Sequence, residues 1–299
     1  MISILRRLIQ TQMPQLVEEG DEVHAEDRSF LILMRKKASL FLYAISLAAI
    51  IACVAAQIAA PQGSVGTPVT MDLSRGACTV FDFRPTTTEA RAIILFGSGD
   101  GGWSGFEEAI SKTLQNGGYE VVGINSKTYA TTDYDLAMLQ SDFGKIAQMA
   151  EAHYGGHPPP LILGGWSMGA AQAIAAAGGP HPPQGLAGLL LLDPCSRGRY
   201  GLRLSDQSDM LPTGPGTFGV AEFAQTMGDL HVVQWHAAQD SIDSRAWLDS
   251  LTAPHKEFDF AKTGHYYNND RADFLAQLVD TIPWILSREQ SSATTMGSK

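Results

Sequence analysis

The sequence has few charged side chains and no excess of basic ones. Charged residues make up 17% of its 299 residues, and 31 acidic side chains outnumber 21 basic ones. Proteins that bind nucleic acid normally present a basic surface to the phosphate backbone. The composition therefore predicts no nucleic-acid partner. Its hydrophobic content of 44% is enough for a sizeable core in one medium-sized domain.

The usual sequence patterns of metal and cofactor sites are also missing. The three cysteines lie far apart, and the chain contains no C-x-x-C, no H-E-x-x-H and no calcium-binding loop. A glycine-rich segment at 97–102 lacks the Gly-Lys-Ser/Thr ending of a phosphate-binding P-loop. We therefore expect neither a metal ion nor a cofactor.

One uncharged apolar run, at 38–60, is long enough to cross a bilayer, and Arg35, Lys36 and Lys37 precede it. Because basic flanks stay in the cytoplasm, the residues after the run should lie on the outer face of the membrane. We predict either a cytoplasmic extension at 1–37 or a mis-assigned start with the true one near residue 34, followed by a signal peptide or membrane anchor at 38–60. Small residues at 54–56 and a lipoprotein-like box at Cys53 leave cleavage, lipidation and retention open.

The rest of the chain alternates apolar strands with helical stretches, which is typical of a mostly parallel sheet covered by helices on both faces. After a linker at 61–75, we predict one domain at 76–288 and a disordered tail at 289–299. Strands are expected at 78–84, 91–97, 119–124, 160–165, 187–193, 230–236 and 256–260. Helices are expected at 104–117, 133–153, 168–178, 219–227, 243–251 and 270–287. The segment 195–218, rich in Gly, Pro, Ser and Asp, is predicted to be a loop beside the site.

The most informative motif is Gly165-Trp166-Ser167-Met168-Gly169, between a predicted strand and a small-residue helix. A strand, a tight turn and a helix with serine at the apex form a nucleophile elbow, which strains the serine backbone and exposes its hydroxyl. The motif alone occurs by chance in Gly/Ser loops, but this context favours a nucleophile. We predict an α/β-hydrolase fold without a large lid domain, with Ser167 as the nucleophile.

A serine nucleophile needs a histidine base, which in turn needs an acid that fixes its tautomer. On this fold the chain order is Ser, then Asp or Glu, then His. His265 is one of eight histidines and follows the last predicted strand, where the base belongs, whereas a structural role is commoner for the others. For the acid, Asp240 at the end of the 230–236 strand is favoured, with Asp243 and Asp193 as alternatives.

Two backbone N–H groups should stabilise the oxyanion: one from Met168, after the nucleophile, and one from Asp100 in the glycine-rich loop.

The usual strand order of an α/β-hydrolase sheet places Cys78 and Cys195 about four inter-strand spacings apart, roughly 19 Å. A disulfide needs Cα atoms within about 7 Å, so we predict that both residues are thiols.

Four segments carry a further signal: the run from Phe96 to Trp103 (Phe-Gly-Ser-Gly-Asp-Gly-Gly-Trp), the run from Val121 to Ser126 with Tyr129, the elbow, and Gly264-His265. Together they resemble the VirJ/AcvB family of bacterial α/β hydrolases. The resemblance extends over about 70–288. It implies a periplasmic or membrane-anchored serine esterase that hydrolyses the aminoacyl ester of lysyl- or alanyl-phosphatidylglycerol.

The resemblance also implies partners and binding residues. The substrate would be a phospholipid at the membrane surface, and secretion-system components are further candidate partners. Asp100, Trp103 and Trp166 are expected to bind substrate, and the Asp100 carboxylate suits the ammonium of an aminoacyl group. The alternatives are a general periplasmic carboxylesterase or thioesterase, and a non-catalytic factor associated with type IV secretion.

Overall fold

The computed structural model describes residues 66–87, 89–207, 211–240, 245–269 and 271–296, with only the backbone described for 288–296. All of them belong to the compact unit Ser64–Lys299. The predicted extension and apolar run lie outside the described residues. Within the described ranges, no helix is both long and apolar enough to cross a membrane.

An eight-stranded sheet forms the centre of the domain, in the order β1-β2-β4-β3-β5-β6-β9-β10. From β4 to β10 all neighbouring strands are parallel, whereas β1 and β2 are antiparallel additions at one edge. The strands, including the separate pair β7–β8, are β1 Thr67–Leu73, β2 Gly76–Phe83, β3 Ile93–Gly97, β4 Glu120–Ile124, β5 Leu161–Trp166, β6 Leu186–Leu192, β7 Arg197–Arg199, β8 Thr217–Gly219, β9 His231–Ala237 and β10 His255–Phe260. The central strands β3, β4 and β5 are buried along their whole length, as strands covered on both faces must be.

Helices cover both faces of the sheet. They are α1 Gly105–Asn116, α2 Ser126–Tyr129, α3 Leu136–Glu151, α4 Met168–Gly178 and α5 Arg271–Met296. One hydrophobic core joins the sheet to α3 and α4, and a second joins the opposite face to α1 and α5. The predicted mostly parallel sheet with helices on both faces is confirmed.

Each predicted strand is present within one or two residues of its expected bounds, but other assignments need correction. The predicted linker 61–75 contains β1, an edge strand that pairs with β2. The predicted helix at 219–227 is only a 3₁₀ turn, Val220–Phe223, and the described part of the helix predicted at 243–251 contains only the 3₁₀ turn Leu248–Ser250. In the first case Thr226 Oγ1 bonds to the carbonyl oxygens of Phe223 and Gly178, so its side chain competes with helix formation.

The end of the chain differs from the prediction in a similar way. Helix α5 continues to Met296, so the predicted disordered tail is helical at 289–296, and residues 297–299 lie outside the described part. The cysteine prediction is confirmed: Cys78 and Cys195 are both thiols. Four steps across the sheet, from β2 through β4, β3 and β5 to β6, separate their strands.

Candidate active site

Ser167 lies at the turn between β5 and α4, where its backbone adopts φ 55° and ψ −116°. Non-glycine residues rarely adopt a positive φ, and a strained conformation of this kind persists only when the surroundings enforce it. Its N–H donates to the Leu192 carbonyl oxygen at 2.9 Å, which anchors the turn to β6. The predicted elbow geometry is therefore present.

The glycines of the elbow are required by close backbone contacts. A Cβ atom on Gly169 would lie 2.2 Å from the Gly97 carbonyl oxygen, and one on Gly165 would lie 2.4 Å from the Gly169 carbonyl carbon. These distances are far below van der Waals contact. Helix α4 can approach β3 and β5 only because both positions lack a side chain.

His265 lies in the loop between β10 and α5, and its Nδ1 forms a hydrogen bond with Asp240 Oδ2. Trp166, next to the serine, donates its indole N–H to the His265 carbonyl oxygen at 3.0 Å, and the two rings lie 4.7 Å apart. Ser167, Asp240 and His265 line one cavity. The structure thus brings together residues that are almost a hundred positions apart in sequence.

Asp193, an alternative acid, lies close to the same histidine. It is fully buried at φ 39°, and its Oδ1 accepts the Ala237 N–H at 2.8 Å. Asp193, Asp240 and His265 offer ligand atoms within 4.8 Å of one another, a set that could also hold a metal ion. Because Asp240 accepts the bond from the imidazole, we assign Asp240 as its acid partner. Asp243 lies outside the described residues.

The oxyanion residues Met168 and Asp100 line the same cavity as Ser167. Met168 is the first residue of α4, where backbone N–H groups have no partner within the helix. The Asp100 loop is held from below, since Ser98 Oγ accepts the Ser126 N–H at 3.0 Å. Buried Glu107 completes the N-terminal capping box of α1 with Ser104, just beyond this loop. Both residues therefore border the cavity that contains the nucleophile, and their role as oxyanion donors stays a prediction.

Of the two tryptophans expected to bind substrate, Trp166 is among the described residues that line the cavity and Trp103 is not. The Trp103 ring stacks on Phe81 at 5.1 Å and covers Gly123. Trp166 does line the cavity but is only 3% exposed. Its main contacts are with His265 and Tyr266, so it positions the base loop more than it presents a surface to substrate.

The cavity has a volume of about 340 Å³, and part of its wall comes from the predicted loop at 195–218. Sequence reasoning missed three of these wall residues. Cys195 Sγ lies 3.5 Å from Ser167 Oγ, and Arg197 and Arg199 follow on β7. Their only signal in the sequence is position: they come directly after β6, at the carboxyl edge of the sheet where sites on such folds form.

Arg199 holds this wall together. Its guanidinium bonds to both carboxylate oxygens of Asp206 and to the carbonyl oxygens of Pro215 and Thr213. The side chain is mostly buried, so these charge-assisted bonds fix the segment over the cavity. The position of this part of the cavity wall therefore depends on Arg199.

The sheet order, the elbow and the positions of the three candidate catalytic residues define an α/β-hydrolase fold with its site at the carboxyl edge. Residues 91–180 match the family model described as bacterial virulence protein (VirJ). This segment contains the Asp100 loop and the elbow but ends before Asp240 and His265. The expected resemblance to VirJ is confirmed over that range.

Solved structures agree on the fold. A serine hydrolase homologue from Coxiella burnetii is 16% identical, with a TM-score of 0.53 over 73% of this chain and 98% of its own. The esterase domain of a Rhodothermus marinus protein is 17% identical, with a TM-score of 0.54 over 75% and 99%. Est1E from Butyrivibrio proteoclasticus is 14% identical, with a TM-score of 0.53 over 74% and 99%. No match to this chain was found among curated protein sequences.

Proposed function

We propose that the protein is a serine hydrolase that cleaves carboxylic esters. The observation that carries the proposal is the cavity that Ser167, on a strained elbow, shares with the Asp240–His265 pair. Asp240 fixes the imidazole so that it takes the Ser167 proton, and the serine oxygen attacks the ester carbonyl. The N–H groups of Met168 and Asp100 then stabilise the tetrahedral oxyanion, and the His265 imidazolium gives its proton to the departing alcohol as the ester C–O bond breaks. Water, deprotonated by the same imidazole, finally hydrolyses the acyl-enzyme to the free acid and Ser167.

We further propose that the ester is the aminoacyl ester of lysyl- or alanyl-phosphatidylglycerol. The VirJ match supports this substrate class by resemblance. The cavity supports it through Asp100, whose carboxylate can receive the ammonium of the aminoacyl group. In this proposal the protein acts in the periplasm at the inner membrane, held there by the segment at 38–60.

The test uses the full chain and its Ser167→Ala variant with lysyl- and alanyl-phosphatidylglycerol, followed by measurement of the free amino acid. Release by the wild type alone is expected. Turnover of p-nitrophenyl esters without amino-acid release would instead identify a general carboxylesterase or thioesterase. Inertness toward both substrates would favour the non-catalytic factor associated with secretion.

A second variant tests the role of Asp100. Asp100→Asn should lower turnover of the aminoacyl lipid about 10-fold or more relative to turnover of an acetyl ester, because a charged partner for the ammonium is lost. Asp72→Asn, which removes an exposed carboxylate on edge strand β1, is the matched control. Equal behaviour of the two variants would contradict the assignment of Asp100.

A further inference from the structure

Some of the charged side chains that line the cavity form ion pairs with each other, and two do not. Asp240 pairs with His265, and Asp206 pairs with Arg199. The remaining two are Asp100 and Arg197. Neither of them forms an ion pair with any residue in the described ranges. The cavity therefore has one uncompensated negative group and one uncompensated positive group.

The strands that lead to these two groups flank the strand that leads to the nucleophile. Ser167 follows β5, whose two neighbours in the sheet are β3 and β6. Asp100 comes after β3, and Arg197 comes after β6. Neighbouring strands are about 4.8 Å apart, so the two flanking strands are separated by roughly 10 Å with the serine between them. An ester bound at Ser167 would have one half directed toward the Asp100 carboxylate and the other half toward the Arg197 guanidinium.

The Arg197 side chain is already oriented. Its Nε donates to the Pro212 carbonyl oxygen at 3.3 Å, and its Nη2 donates to Thr217 Oγ1 at 3.1 Å. A guanidinium has five N–H donors, so these two bonds leave others for a ligand. In Arg199, by contrast, the donors are used by Asp206 and two backbone carbonyl groups. Arg197 is therefore the arginine of this wall that is prepared to bind an anion.

We propose that Arg197 binds a phosphodiester in the alcohol half of the substrate, while Asp100 receives the ammonium of the acyl half. This inference rests on the proposed ester hydrolysis. It identifies the preferred substrate as an ester with a positive charge in its acyl half and a negative charge in its alcohol half. Cys195, which touches Ser167 Oγ, lies two residues before Arg197 on the same segment. At about 3.3 Å per residue, that distance suits the single glycerol unit that separates the ester from the phosphorus in an aminoacyl-phosphatidylglycerol. Arginine also matches phosphate oxygens through paired N–H donors.

The first experiment does not depend on turnover. The full chain carrying Ser167→Ala is titrated calorimetrically with glycerophosphoglycerol, the soluble phosphodiester head group. Adding Arg197→Gln should weaken binding about 10- to 100-fold, the effect of one charge-assisted interaction. Arg197→Lys should bind with intermediate affinity, because it keeps the charge and loses the planar donor pair.

Arg203→Gln in the same background is the matched control. Arg203 is on the same segment, is ion-paired with Asp133 and is not among the described residues of the cavity wall. Equal weakening by Arg203→Gln and Arg197→Gln would overturn the proposal, since it would reflect net charge alone. Absence of head-group binding to the Ser167→Ala protein would also overturn it.

The second experiment measures specificity with two soluble esters, alanylglycerol and alanyl-glycerophosphoglycerol, in otherwise wild-type protein. Arg197→Gln should reduce the preference for the charged ester about 10- to 100-fold in kcat/KM, mainly through KM. An equal loss of kcat on both esters would assign Arg197 to folding of the wall and would overturn the proposal. If the wild type cleaves neither ester but the titration gives the expected result, the proposed reaction fails and the anion site stands.

Discussion

The two edges of the parallel sheet each carry a histidine beside two carboxylates. At the carboxyl edge they are His265, Asp240 and Asp193; at the amino edge they are His153, Asp82 and Glu120. In the amino-edge cluster a cation is already present, because Arg84 donates to Asp82 at 2.7 Å and to His153 Nε2 at 2.6 Å. At the carboxyl edge the histidine is instead bonded to one carboxylate and faces a cavity with a serine.

Backbone strain separates the two clusters more clearly than composition does. Within the described chain, the non-glycine residues with positive φ are Ser167, Asp193 and Tyr267, and all three lie in loops at the carboxyl edge. Strain of this kind is retained where it positions reacting groups, whereas a structural cluster can relax. The comparison indicates that a histidine with two carboxylates serves the proposed chemistry at one edge and cohesion of the fold at the other.

The largest expected effect comes from replacing His265 at the carboxyl edge, in comparison with replacing His153 at the amino edge. His265→Gln should lower kcat/KM for p-nitrophenyl acetate at least about 10⁴-fold, because His265 is the one histidine among the described residues of the cavity wall and is our candidate to take the Ser167 proton. His153→Gln should leave activity within about 2-fold, since its contacts are with Arg84 and Glu120 at the far edge. Loss of activity in both variants, with unchanged thermal unfolding, would remove the distinction between the edges.

Much of this site could be predicted from the sequence because it depends on local signals. The elbow is a short motif, and Asp240 and His265 each lie within a few residues of the end of a predicted strand, β9 and β10 respectively. Strand β1 was missed for the opposite reason: it is an edge strand whose residues are mostly exposed, so it has no apolar run. Propensity alone could not distinguish the 3₁₀ turn at Val220–Phe223 from a helix, because a tertiary contact from Thr226 to Gly178 decides it.

Residues placed by tertiary packing were the harder part of the site. Trp103 is next to a functional loop in sequence, yet it packs against β2 because Gly123 leaves room for its ring. Cys195 and Arg197 lie in a segment without periodicity, and only the folded chain shows that it returns to Ser167. Loops of this kind take their position from contacts distant in sequence, which a single sequence does not encode as a pattern.

The second prediction separates the two aspartates beside His265. Asp240→Asn should lower kcat/KM about 10³- to 10⁴-fold, because an amide favours the wrong imidazole tautomer. Asp193→Asn keeps an oxygen for the Ala237 N–H and should lower it less than about 10-fold. Steady-state kinetics on p-nitrophenyl acetate measure both. The reverse order of effects would make Asp193 the acid of the triad.

The third prediction compares the thiol of the cavity with the thiol of the core. Alkylation of Cys195 by N-ethylmaleimide should reduce esterase activity at least about 10-fold, because the adduct would fill space beside Ser167 Oγ. Cys78 is buried, and burial raises the pKa of its thiol, so it should react slowly. Peptide mass mapping identifies the modified residue. A Cys195→Ala variant that is still inactivated at the wild-type rate would contradict this prediction.

The smallest expected effect concerns the pH dependence of stability at the amino edge. Burial raises the pKa of Glu120 above the ordinary value of 4.5, against the opposing effect of the hydrogen bond donated by Tyr154. The native state therefore keeps a proton that the unfolded chain has released, so the free energy of unfolding should fall as pH rises from about 4.5 through the raised pKa. Urea unfolding across this range should show that fall in the wild type, a shallower one in Glu120→Gln and a steeper one in Tyr154→Phe. Identical profiles for all three proteins would contradict this prediction, because they would show that the pKa of Glu120 is the same in the folded and unfolded states.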